Sequence, residues 1–186
     1  MYKEYITKQI PIVVGWNWIS IILYKENQKQ FYNITDINLL GNTNNLSMCI
    51  KNLENNNENN NILGNKNNKF SNNKWENTDY IFDNLKCYCI YSNKNCIWEI
   101  EGLPYEVLPD TQLGIIKNKW NYVSSIVINY LLKLSKNLEG LLITSQYEYC
   151  FIKTSPHNSI SSQYCYGNLT NIVSHKGYKL YENLLE

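Results

Sequence analysis

A chain of 186 residues, 44% hydrophobic and 18% charged, suits one domain with a core of useful size. A formal charge of +1 offers no overall attraction for nucleic acid, and there is no run of about 18 apolar residues to span a bilayer. Met1 to Tyr5 lacks the basic-then-apolar character of a secretory leader, so a cytoplasmic or nuclear protein without a membrane or nucleic-acid partner is expected.

About one residue in six is Asn, and the chain has neither Ala nor Arg. A/T-rich codons would impose such a bias, so the sequons at Asn33, Asn45 and Asn168 carry little information. The missing Arg is informative as physics. Bidentate grips on phosphate or carboxylate prefer a planar guanidinium, and lysine supplies only a point charge.

In chain order, Ile10 to Val14 and Trp16 to Tyr24 read as strands separated by Gly15. The second alternates, with Asn17, Ile19, Ile21 and Leu23 on one face and Trp16, Trp18, Ser20, Ile22 and Tyr24 on the other. Phe31 to Leu40 is expected as a third strand of an antiparallel meander ending at Gly41. Residues 52–78 are so rich in Asn that the ordering entropy, roughly 1–2 kcal/mol per residue, is not offset, and a disordered insertion is expected there. Leu85 to Tyr91 and Cys96 to Ile100 then read as a hairpin joined by Ser92-Asn93-Lys94-Asn95.

From about Asn118 the spacing turns helical: Trp120, Val123, Val127, Tyr130, Leu131, Leu134 and Leu138 recur every three or four residues until Gly140. Leu141 to Lys153 is a strand or hairpin, Thr154 to Asn168 a polar loop, and Tyr178 to Leu185 a closing amphipathic helix. The expectation is a single α+β domain over 1–186, its mostly antiparallel sheet packed by one long amphipathic helix and a C-terminal helix.

Six cysteines invite a chemical reading. Cys87 and Cys89 would lie on one strand face about 7 Å apart, with Cys96 across the hairpin. A fourth zinc ligand would come from Cys150, His157, Cys165 or His175, but paired zinc-type spacings are absent, so free, buried thiols are the expectation. A disulfide framework is disfavoured without a leader. No phosphate loop or nucleophile motif occurs, so the chain reads as a non-enzymatic protein without catalytic, metal or cofactor residues.

Aromatic placement points to binding. Sixteen Tyr and five Trp include Trp16, Trp18 and Tyr24 on one face of the second strand, and Tyr147, Tyr149 and Phe151 on one face of the strand after the helix. If the aliphatic face packs under the helix, the aromatic face needs another cover, and a protein partner or second subunit would supply it. These six residues are the candidate interface, in a hetero- or homodimer.

Thr7-Lys8-Gln9, Gly15, the strand Ile19 to Tyr24, and Phe31 to Asp36 leading to Gly41 form one half of a pattern. Leu113-Gly114, a helix around Val123 to Leu134, Gly140-Leu141-Leu142-Ile143 and a closing helix at Lys176-Gly177-Tyr178-Lys179-Leu180 form the other. Together they resemble the proteasome assembly chaperone 3 family over most of the chain outside 50–95 and 154–170. The resemblance implies a small α+β chaperone that pairs with a related chaperone subunit and helps order the α-type subunits of the 20S proteasome. The alternatives are a subunit of another complex, or a zinc protein or thiol enzyme built on Cys87, Cys89 and Cys96.

Overall fold

The computed structural model describes residues 4–26, 31–51, 68–134, 138, 140–154 and 163–182. Three antiparallel sheets, a short ribbon and one α-helix make up the regular structure of these residues. The chain starts with β1 (Ile6–Ile12), β2 (Gly15–Ile19) and β3 (Leu23–Tyr24), followed by β4 (Phe31–Asn33), β5 (Asn38–Leu40) and β6 (Met48–Lys51). Next come β7 (Asn68–Ser71), β8 (Lys74–Trp75), β9 (Ile81–Asp83), β10 (Tyr88–Ser92) and the long β11 (Cys96–Pro104). The last third holds β12 (Trp120–Ser124), α1 (Ser125–Leu134), β13 (Leu141–Thr144), β14 (Tyr149–Thr154), β15 (Gln163–Gly167) and β16 (Gly177–Glu182).

Two sheets form a sandwich. In the first, β1 and β3 flank β11, and β5 also pairs β11; the second runs β2-β10-β6-β7-β8. Alternation along each strand puts one set of side chains between the sheets. Ile10, Ile12, Trp98 and Ile100 from the first sheet meet Ile19, Met48, Ile50 and Ile90 from the second in one buried cluster. The β4-β9 ribbon contributes Tyr32 and Phe82, and Phe82 lies edge-on to both Tyr88 and Trp98 at 4.9 and 5.9 Å.

The third sheet, β12-β16-β13-β14-β15, has its own core. Val123, Ile143, Ile152, Tyr178 and Leu180 point inward onto Val127 and Ile128 of α1. A disulfide joins Cys150 on β14 to Cys165 on β15, with Cα atoms 5.4 Å apart. Cys150 and Cys165 depart from the expectation of free thiols because neighbouring strands bring them together, whatever their separation in sequence, while Cys49, Cys87, Cys89 and Cys96 are free.

The sandwich and the third sheet meet where two hydrogen-bonded pairs exchange partners. The β2-β10 ladder ends at Ile19 opposite Tyr88, and the β12-β16 ladder ends at Ser124 opposite Gly177. Beyond those points the strands cross-pair. Ser20 N–H donates to His175 O at 2.9 Å, Ser124 N–H to Leu85 O at 2.9 Å and Cys87 N–H to Tyr122 O at 3.4 Å. Buried hydroxyls complete the seam: Ser20 Oγ donates to Lys176 O at 2.8 Å and Ser125 Oγ to Ser174 O at 2.7 Å. A Cβ at position 177 would overlap Cys87 Sγ and lie 2.9 Å from Ile19 O, so only glycine lets the strands approach this closely.

Several expectations are corrected. The molecule is mostly β, with sixteen strands and one α-helix among the described residues, rather than an α+β meander packed by two helices. The N-terminal strands do not pair as a meander, since β1 joins β11 while β2 joins β10; strands pair in chain order only in β6-β7-β8 and β13-β14-β15 among the described residues. The turn 92–95 is an arch between the two sheets, not a hairpin turn. Of the expected long helix, Trp120–Ser124 is a strand and Ser125–Leu134 the helix. Of the expected closing helix, residues 178–182 belong to β16, a strand paired on both sides where the neighbours override local amphipathicity, and residues 183–185 lie outside the described residues.

The third expected strand breaks at a 3-10 turn over Ile34–Asp36, where the Asn33 side chain accepts from Thr35 N–H. Within the expected insertion 52–78, residues 52–67 lie outside the described residues. Residues 68–75 form the β7-β8 hairpin, its turn made by Asn72 and Asn73 with φ of 52° and 60°. Positive φ at both central turn positions suits a tight hairpin, and Asn tolerates it better than most residues. Phe70 and Trp75 pair across the hairpin and are buried, with Trp75 edge-on to Trp98 at 6.0 Å.

Trp75→Ala is therefore expected to destabilise the fold by about 3–5 kcal/mol in urea unfolding. A loss below about 1 kcal/mol would return residues 68–75 to the status of a dispensable insertion. Gly177→Ala, forced against Cys87, is expected to cost about 1–3 kcal/mol in the same measurement.

Candidate functional site: an aromatic and lysine face

The strand registers place the aromatic side chains in rows. On the outer side of the third sheet, Trp120, Tyr181, Leu142, Phe151 and Tyr166 are successive cross-strand partners from β12 to β15. One step along, Tyr122, Lys179, Thr144 and Tyr149 form a second row. On the second sheet, Trp16 pairs with Tyr91, Tyr91 with Cys49 and Cys49 with Lys69, while Trp18 pairs with Cys89 and Cys89 with Lys51. Period-2 alternation explains the outward set, since the intervening residues Asn17, Ile90, Val123 and Tyr178 are buried.

The two sheets share this outer surface across the junction. Trp18 on β2 meets Tyr122 on β12 edge-on, with ring centroids 6.4 Å apart, and Lys179 Nζ lies 4.7 and 5.1 Å from the two centroids. Gln146, in the β13-β14 turn, clips the free edge of β2. Its Nε2 donates to Trp16 O at 2.7 Å and its Oε1 accepts from Trp18 N–H at 3.3 Å. The same Nε2 donates to Tyr147 OH at 2.7 Å, so the turn carries Tyr147 to the tryptophans.

Five of the six expected interface residues are thus brought together. Trp16 is 40% exposed, Tyr147 81% and Tyr149 46%, while Trp18 and Phe151 are partly covered. Tyr24 is not among them. The chain crosses from the second sheet to the first over Ser20 to Ile22, where Asn84 Nδ2 donates to Ile21 O at 2.6 Å and Leu23 O at 2.7 Å. Tyr24 therefore sits on β3 against Tyr105, with ring centroids 6.1 Å apart. Trp120, Tyr122, Tyr166 and Tyr181 also belong to the face and were missed by the sequence reading. The expected helices span Trp120, Tyr122 and Tyr181, although Trp120/Tyr122 and Lys179/Tyr181 are also period-2 pairs.

The cysteines do not assemble. Cys89 faces outward between Trp18 and Lys51 on the second sheet, whereas Cys96 points into the sandwich core from the first, beside Met48. No group of three or more His, Cys, Asp or Glu residues is disposed to hold a metal among the described residues, and His157 lies outside them. Burial pushes the Cys89 thiol from 9.0 up to about 11, against the pull of Lys179 and then Lys51. Burial, then the neighbouring Cys89, raises Cys87 well above 9.0, and burial raises Cys96 as well. These thiols stay protonated near neutrality, the opposite of what a thiolate nucleophile needs.

No helix among the described residues is long and apolar enough to cross a membrane. Comparison with protein-family models, curated proteins and solved structures finds no match for the chain.

The raised thiols set a pH dependence. Unfolded, Cys89 loses its proton near 9.0; folded, it holds it until about 11, so folding stability is full below pH 9 and declines between 9 and 11. Cys89→Ser is expected to flatten part of that decline in urea unfolding compared at pH 8 and 10.5. An unchanged slope would show that the thiol is not held protonated by burial.

Proposed function

We propose that the protein acts by binding, as a non-enzymatic interaction or assembly subunit, with the aromatic face of the second and third sheets as its contact surface. The observation that carries this reading is the row from Trp120 to Tyr166. Aromatic side chains occupy four of its five positions, with Trp120 42% and Tyr166 63% exposed, while α1 and the loops cover the opposite side of the same sheet. Contiguous exposed aromatics are unusual on a self-sufficient surface, and Trp and Tyr are favoured anchors in binding sites. A zinc or thiol site on Cys87, Cys89 and Cys96 has less support, because Cys96 points into the sandwich core from a different sheet than Cys89 and all three thiols are held protonated.

The likeness to proteasome assembly chaperone 3 would make the partners a related chaperone subunit and α-type proteasome subunits. One of its supporting elements was a closing helix over 176–180, where the chain forms β16. That specific partnership is therefore one arm of the test.

In affinity isolation from the native cell, the wild type is expected to retain a partner that a Trp120→Ala/Tyr149→Ala/Tyr166→Ala triple variant loses, with the thermal midpoint moved only slightly, as for surface changes. Equal retention by both would remove this face from the function. Loss of α-type 20S proteasome subunits in particular would establish the chaperone partnership.

A further inference from the structure

We propose that this face binds single-stranded nucleic acid, its rings stacking on bases while the interleaved lysines meet phosphates; the inference rests on the binding reading above and names the partner of the same surface. The face is cationic although the chain is nearly neutral. Lys51, Lys69, Lys153 and Lys179 all project from it, and the acidic residue at its margin is Glu76, exposed just after β8, whose N–H donates to Lys69 O at 2.8 Å. The ion pairs among the described residues, Lys25–Glu101 and Lys176–Glu148, involve none of the four. Glu99 and Glu101 lie on the far side of the sandwich, outward on β11.

Rings and cations also alternate at close range. Lys51 Nζ is 4.9 Å from the Trp16 centroid, Lys179 Nζ bridges Trp18 and Tyr122, and Lys153 Nζ is 5.6 and 5.7 Å from Phe151 and Tyr166. This repeat of a ring pair with a lysine suits a polymer that alternates a flat base with a charged phosphate. A base can take the ring face as the ammonium swings to the phosphate, and lysine serves phosphate as a point charge without arginine. A protein partner acidic enough to pair with these lysines is the competing occupant, and poly-L-glutamate stands in for it in the test. Duplexes offer no free base faces. A lipid surface would want aliphatic mass, and Leu142 is the one aliphatic residue in either row of the third sheet.

The test is fluorescence anisotropy of the full chain with labelled 15-nucleotide oligo-dT and oligo-U, a duplex of equal length and poly-L-glutamate, at 50 and 200 mM salt. Saturable binding is expected, at least tenfold tighter for a single strand than for the duplex, with affinity falling as salt rises. Trp120→Ala and Tyr166→Ala should each weaken it about fivefold or more without changing the salt slope. Lys179→Gln should lower that slope by roughly one released counterion. Thermal melts of each variant check folding, and quenching of tryptophan fluorescence in the wild type gives a second readout of stacking. No saturable binding at 50 mM salt, equal affinity for the duplex, or stronger ring-dependent binding of poly-L-glutamate would each overturn the proposal, the last assigning the face to an acidic polypeptide. If the oligonucleotides fail while the triple variant above still loses a partner, the nucleic-acid inference falls and the binding reading stands; if both fail, both fall.

Discussion

The close approach of Gly177 to Cys87 is the constraint on which the arrangement of the three sheets depends. At this point two antiparallel ladders exchange partners, and a side chain at 177 would occupy the space of the Cys87 sulfur. Because the strands meet so closely, Ile19 bridges to Lys176 and Lys86 to Val123, and the second sheet passes into the third without a gap. The Ser20 and Ser125 hydroxyls satisfy carbonyls at the crossing, in a place where unpaired backbone groups would be costly. The seam therefore turns two separate sheets into one outer surface.

That surface has a composition of its own. Both sheets bury aliphatic and aromatic residues inward, yet they also place Trp, Tyr and Phe outward, where burial cannot be the reason for keeping them. Lysines cover part of the rings through cation–π contact, which leaves a cationic, aromatic plane instead of a bare apolar one. Glu99 and Glu101 of β11 sit across the sandwich, Glu101 paired there with Lys25. Net charge averages over faces that point in opposite directions, so it does not report the charge of any one of them.

What the sequence revealed and what it hid follow from the range of the forces involved. Alternation along 16–24 correctly separated buried Asn17, Ile19, Ile21 and Leu23 from the Trp16 and Trp18 side. The aromatic face was legible in part for that reason. Which strand pairs with which was not legible: β1 and β11 are joined by contacts some 90 residues apart, as Gln9 to Glu99 shows. Around Trp120, spacings of three and four fit a helix, while the two-residue steps Trp120-Tyr122 and Asn121-Val123 fit a strand just as well. Tertiary pairing with β16 decided the matter. Asn72-Asn73 looked like more of the Asn-rich tract, but positive φ at both positions makes it a hairpin turn, and Phe70 and Trp75 on either side were the available signal. The junction itself could not have been read, since it joins positions 19, 87, 124 and 177 through backbone contacts that no local motif marks.

Hydroxyl-radical footprinting of the isolated chain tests most directly whether the aromatic plane is open to solvent. Trp16, Trp120, Tyr149 and Tyr166 should oxidise readily while Trp98 and Tyr32 stay protected, in keeping with their opposite placement outside and inside the core. Protection of Trp16 and Trp120 equal to that of Trp98 in the monomer would mean that the chain covers its own face, and the case for a binding surface would end there.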